Sequence, residues 1–120
     1  MMADYATGTR VSATNPQSGE EGWQWVIVDG TRRPIADTTY NTLYVDKNSF
    51  QLDNLYDIPE GSEISSAYLA NDDDGTTYLV TEGTKYKITS QAAVDKLGFD
   101  KSNARTGEDL NSMGAGADIS

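Results

Sequence analysis

The residues with the most potential for chemistry in this chain are acids. Asp72-Asp73-Asp74 stand directly before Gly75, and such a run invites a calcium reading. A helix–loop–helix calcium loop wants acids at alternate positions ahead of its central glycine and a Glu at its last position. With Gly75 as that glycine, Ala70 falls at the first position and Thr81 at the last. Neither carries a carboxylate, so the run reads as a solvated hairpin turn and no metal site is expected. Paired carboxylates can also hydrolyse glycosides. Here the acids fall in turns and tails, without the apolar setting that raises a carboxyl pKa. The sequence holds no His and no Cys, and no G-x-S-x-G or phosphate-loop pattern. The chain is therefore expected not to be an enzyme and to need no cofactor.

Binding chemistry has more to work with. Trp23 and Trp25 alternate along one run and so share a face. They are either a platform for sugar rings or the core of a small β unit. Tyr78, equivalent to Trp25 in the repeat described below, favours the core. Arg32-Arg33 and Lys85/Lys87 are placed either to hold anionic polymers or to act as edge-strand charges that block aggregation. The charge balance, 19 acids against 9 bases for a net −10, supplies no basic footprint for nucleic acid or for an anionic membrane surface. No nucleic acid is expected as a partner.

These residues are carried by a run that occurs twice. Trp25-Val26-Ile27-Val28-Asp29-Gly30-Thr31-Arg32-Arg33-Pro34-Ile35 matches Tyr78-Leu79-Val80-Thr81-Glu82-Gly83-Thr84-Lys85-Tyr86-Lys87-Ile88, with Gly30 and Gly83 at the tips. Each is a strand, an acid-Gly hairpin turn and a return strand. The strands are placed at Gly8–Ser12, Trp23–Val28, Thr31–Ile35, Ile64–Ala70, Thr76–Thr81 and Thr84–Ile88. A short helix follows each hairpin. Asp37 is expected to cap the first, over Thr38–Tyr44. Ser90 is expected to cap the second, over Gln91–Leu97, with Gly98 as its left-handed C-terminal residue. Residues 45–63 look irregular.

The echo extends further in both directions. Gly8-Thr9-Arg10-Val11-Ser12 matches Gly61-Ser62-Glu63-Ile64-Ser65, and Gly116-Ala117-Asp118-Ile119-Ser120 is a third copy. Leu55, Ile58, Gly61 and Ile64 align with Leu110, Met113, Gly116 and Ile119. Insertions between copies fall in loops, as a structural repeat requires. The fold class is α+β and β-rich: two tandem repeats, each a small antiparallel β-meander plus one short helix. Residues 1–7 read as a flexible N-terminus, 8–60 as repeat unit 1, 61–115 as unit 2, and 116–120 as the first strand of a third. Gly116 and Ile119 of that strand are expected to join a sheet, either this chain's own or a neighbour's edge. No run reaches the ~20 apolar residues of a membrane span, and Met1–Gly8 has no signal-peptide pattern.

The second unit, Tyr78 to Ser90 and then Ala92-Ala93-Val94-Asp95-Lys96-Leu97-Gly98-Phe99, resembles a known repeat. It is similar to the short extracytoplasmic repeats of a membrane component of the actinobacterial type VII secretion machinery, and to repeats in tail and other virion proteins of actinobacteriophages. The likeness runs from Tyr78 to Ile119. The first unit shares it only through the second, and has Leu43-Tyr44 where the motif has Leu-Gly. The resemblance implies a non-catalytic packing or binding module, so no catalytic residue carries over. The secretion component also has a membrane helix, for which this sequence has no candidate. The expectation is therefore a structural, non-enzymatic virion component. It would be a capsid-surface decoration or tail protein, made in the host cytoplasm and docking on other virion proteins or on copies of itself. Sheet edges, the face of Trp23 and Trp25, and the terminal strand with Gly116 and Ile119 would serve, with Arg32 and Arg33 as further candidate contacts. The alternative is an extracytoplasmic binding module of a secretion or cell-wall protein, recognising a cell-envelope polysaccharide.

Overall fold

Two tight hairpins set the frame. β1 is Arg10–Ala13, β2 Trp25–Val28 and β3 Thr31–Pro34. β2 turns into β3 through Asp29 and Gly30, at φ 51° and 81°. β5 is Tyr68–Asn71, β6 Thr77–Thr81 and β7 Thr84–Ile88. β6 turns into β7 through Glu82 and Gly83, at φ 54° and 76°. Positive φ at both central residues matches the turn twist to the strand twist, and Gly takes the second position without a steric cost. The computed structural model describes residues 5–46, 49–64 and 66–119. The first four residues of the expected N-terminal tail, and Lys47, Ser65 and Ser120 of the repeated motifs, lie outside the described residues.

Each hairpin grows into a four-stranded sheet, and the protein is a β-rich α+β fold of two similar units. The first sheet has the order β3-β2-β1-β4, where β4 is Phe50–Leu52. The second has the order β5-β6-β7-β8, where β8 is Gly114–Ala115. β4 runs parallel to β1, with Val11 opposite Phe50. The same parallel approach recurs in the second unit as the single pair Ala70 and Arg105. β8 runs parallel to β7 and the pairing continues to Ile119 opposite Ile88. Its counterpart lies along β3, with Ile64 opposite Ile35. The hydrogen bonds repeat almost bond for bond. Gly61 N donates to Arg32 O at 2.9 Å and Gly116 N to Lys85 O at 2.8 Å; Ile64 N and Ile119 N reach Pro34 O and Lys87 O, both at 2.7 Å.

This register changes the reading of the repeat. The sequence match makes Gly61–Ile64 the opening of the second unit, as the counterpart of Gly8–Val11. In the structure it lies along β3, closing the first sheet, as Gly116–Ile119 lies along β7. The counterpart of β1 is β5: Val11 faces Trp25, and Ala70 faces the equivalent Tyr78. The ambiguity has a physical origin. A Gly followed three positions later by a β-branched residue suits both roles, because both roles bury that residue (Val11, Ile64 and Ile119 are all in the core). The terminal strand thus pairs within its own chain.

α1 spans Asp37–Leu43 and α2 Gln91–Leu97. α2 follows its sequence: the Ser90 side chain accepts from Ala93 N, and Gly98 turns left-handed at φ 77°. α1 departs by one residue at each end. Ala36 is its N-cap and Asp37 its first residue, without a side-chain cap. Ala36 N is already held by Ile64 O at 3.2 Å, which fixes where the helix starts. Tyr44 leaves the helix in an extended conformation because it pairs with Phe99 of the other unit.

The core is layered. One central cluster holds Val26, Val28, Tyr40 and Leu43 of the first unit with Leu69, Leu79, Val94, Leu97 and Ile119 of the second. Each sheet also has an outer cluster. Val11, Trp25 and Ile27 pack under Leu55 and Ile58; Ala70 and Val80 pack under Leu110. β2 is therefore buried on both faces, which explains its unbroken apolar run. Burying each such side chain is worth about 1.5–3 kcal/mol.

Candidate functional site

The two units meet around an approximate two-fold axis. Val45 N donates to Gly98 O at 2.9 Å, and Asp100 N to Leu43 O at 2.6 Å. Tyr44 and Phe99 face each other across this contact with rings stacked, centroids 5.2 Å apart. The Tyr44 hydroxyl donates to Gly8 O at 2.6 Å. Arg10 lies over the Tyr44 ring at 4.5 Å and pairs with the Asp46 carboxylate at 2.6 Å. Burial works against its charge, but the bonds to Asp46 and Tyr40 outweigh it and hold the guanidinium more firmly protonated than usual.

The hairpin turns make a second reciprocal contact. Asp29 and Glu82 occupy equivalent turn positions. The Tyr86 hydroxyl donates to Asp29 at 2.7 Å, and Arg33 forms an ion pair with Glu82. Arg33 and Tyr86 are themselves equivalent, so each unit reaches into the other's turn. Each of these side chains also crosses a glycine of the tail. A Cβ at Gly61 would collide with Arg33, and one at Gly116 with the Tyr86 ring. That close approach is the physical reason for glycine in the repeated Gly-x-x-Ile motif.

The residues expected to carry interactions therefore divide. Arg32 is buried against the rings of Trp25 and Tyr56, at 4.5 and 5.0 Å, and its Nε donates to Ile58 O at 3.0 Å. Arg33 is buried in the inter-unit pair and also donates to Ser62 O. Neither is an edge charge, because the 59–64 tail lies alongside β3. Trp25 is 1% exposed and belongs to the outer cluster, and Ile119 is in the central core. Gly116 is half-buried beneath Tyr86. Trp23 alone of the six stands open, at 42% exposure. The two tryptophans do share a face, 5.5 Å apart, but at different depths.

Asp72 is occupied with the turn it sits in. Its Oδ1 accepts from Asp74 N and Thr76 N, both at 2.9 Å. Among the described residues no group of three or more potential ligands is placed to hold a metal ion. None of their helices is long and apolar enough to cross a membrane.

The surface that the sequence does not mark lies at β4. Phe50 and Val45 are 63% and 62% exposed. They border a groove of about 310 Å³ whose other walls include Thr9, Arg10, Leu97 and Gly98, at the junction of the units. Among the described residues no strand pairs with the outer edge of β4. Phe50 falls in the stretch whose sequence looks irregular, and an exposed three-residue strand gives too short a pattern to be recognised. No protein-family model matches this chain, and no curated protein matches it.

Proposed function

We propose that this chain is a non-enzymatic assembly protein, a virion component of the capsid surface or tail that docks on neighbouring virion proteins. The observation that carries the reading is the outer edge of β4. Among the described residues no strand pairs with it, and two exposed apolar side chains stand there, Phe50 on the strand and Val45 beside the adjoining groove. Natural edge strands are usually blunted by charge or covered, as β3 is here by the 59–64 tail. An extended segment added to β4 would gain ladder hydrogen bonds and seat a side chain in the adjoining groove. The resemblance of the Tyr78–Phe99 motif to repeats of actinobacteriophage virion proteins supplies the setting.

The test is cosedimentation with particles from a phage-infected actinobacterial culture, with Phe50→Lys as the control. Wild type is expected to sediment with particles. The variant should stay in the supernatant while its melting temperature moves by no more than about 2 °C, since Phe50 is outside every packed cluster. Particle association unaffected by Phe50→Lys would remove β4 as the docking edge. Failure of wild type to associate with any particle would overturn the virion assignment.

A further inference from the structure

We propose that Trp23 is the platform of a binding site for a neutral sugar ring. A single exposed apolar residue is ordinary, so the argument rests on its surroundings. Trp23 stands on the ridge between two open grooves, of about 200 and 380 Å³, and lines both. Gln24 also lines both. The smaller groove adds Ser12, Glu20 and Gln51; the larger adds Glu21, Asp37 and Glu63. A flat aromatic face between rows of amides, hydroxyls and carboxylates is what a polyhydroxylated ring needs. Its C–H face packs on the indole, and its hydroxyls donate to carboxylates and accept from amides.

The platform is also preorganised. Trp23 leans on the buried Trp25 at 5.5 Å, which is in turn held under Arg32. Its backbone N is fixed to Glu20 O at 3.1 Å, and Glu20 accepts from the Tyr56 hydroxyl at 2.9 Å. A rigid aromatic anchor loses little entropy on binding. The Gln24 Oε1 is buried without a hydrogen-bond partner among the described residues. Such an acceptor is costly to leave unpaired, so turning it toward a ligand hydroxyl gives up no hydrogen bond made by Oε1. Charge selects within the sugars. Neither groove is lined by Lys or Arg and both carry carboxylates, so phosphorylated, sulfated and uronic polymers are repelled.

The experiment is a titration of the whole chain with soluble hexasaccharides of glucose and of N-acetylglucosamine. It is read by tryptophan emission and by saturation-transfer NMR on the sugar protons. A saturable response in the millimolar range is expected. It should weaken by at least about tenfold in Trp23→Ala and persist in Trp23→Tyr, which keeps a ring. Trp25 remains as an internal reporter of folding, and melting temperature checks both variants. No saturable response to either saccharide, or an equal response in Trp23→Ala, would overturn the site. A response to choline and to neither saccharide would also overturn it, assigning the acidic groove and indole to an organic cation instead.

Discussion

Tyr86 and Arg33 do the same task with different chemistry. Each crosses a tail glycine and reaches the acid in the other unit's turn. The difference between them makes the protein sensitive to alkali. Burial, together with the bond to Asp29, pushes the Tyr86 hydroxyl well above the ordinary tyrosine value of about 10. Burial does the same to Tyr44, with Arg10 opposing it and Tyr40 adding to it. The unfolded chain loses both protons near pH ~10 while the folded chain keeps them, so above that pH the unfolded state binds fewer protons. Stability from these groups is complete below pH ~10 and is lost as pH rises through their folded values. The urea midpoint is expected to hold steady up to about pH 9 and fall steeply by about pH 11. Tyr86→Phe should make the fall shallower, because Phe cannot ionise. An unchanged slope in that variant would show that Tyr86 does not carry the effect.

At the scale of elements, what the sequence makes legible is what local chemistry determines. Asp29-Gly30 and Glu82-Gly83 name their turns because few other pairs accept two positive φ values. Ser90 and Gly98 delimit α2 for equally local reasons. The tails stand out in the sequence but not their true neighbours, since parallel pairing depends on which strand lies across the sheet rather than on adjacent residues. β4 escapes notice because three mostly exposed residues give too short a pattern. The two tails should then be equivalent in energy as well as in geometry. Ile64 and Ile119 are both buried in the central cluster, so replacing either with Ala is expected to cost about 2–5 kcal/mol in urea unfolding. The intramolecular pairing of 116–119 gives a sharper outcome: Ile119→Ala should lose stability without any change of molecular mass in solution. A change of oligomeric state would mean that the terminal strand acts between chains.

At the scale of the molecule, the candidate site is the least legible part, and the two-fold arrangement explains why. Arg32 and Arg33 look like surface charges until partners arrive from elsewhere: Ile58 O from just before the tail, Ser62 O from the tail, Glu82 from the other unit. Trp25 lies deeper than Trp23 because Val11, Leu55, Ile58 and Arg32, from distant parts of the chain, pack around it. The same geometry makes the units interdependent. A unit of about 60 residues buries only about 60% of the surface its unfolded chain exposes. Here each would also leave its half of the central cluster open to water: Val26, Val28, Tyr40 and Leu43 in one, Leu69, Leu79 and Leu97 in the other. The radius of gyration, 14.0 Å, is that of one body of this length rather than of two beads on a string. Fragments 1–65 and 66–120 made separately are therefore expected to unfold without a cooperative transition and to bind a dye specific for exposed apolar surface. Mixed in equal amounts they should form a one-to-one complex that releases the dye and melts cooperatively, because the reciprocal Asp29–Tyr86 and Glu82–Arg33 contacts and the Tyr44–Phe99 stack need no covalent link. A cooperative transition in either fragment alone, near the melting temperature of the intact chain, would show that the units are independent domains, and that the central cluster is an interface rather than the core.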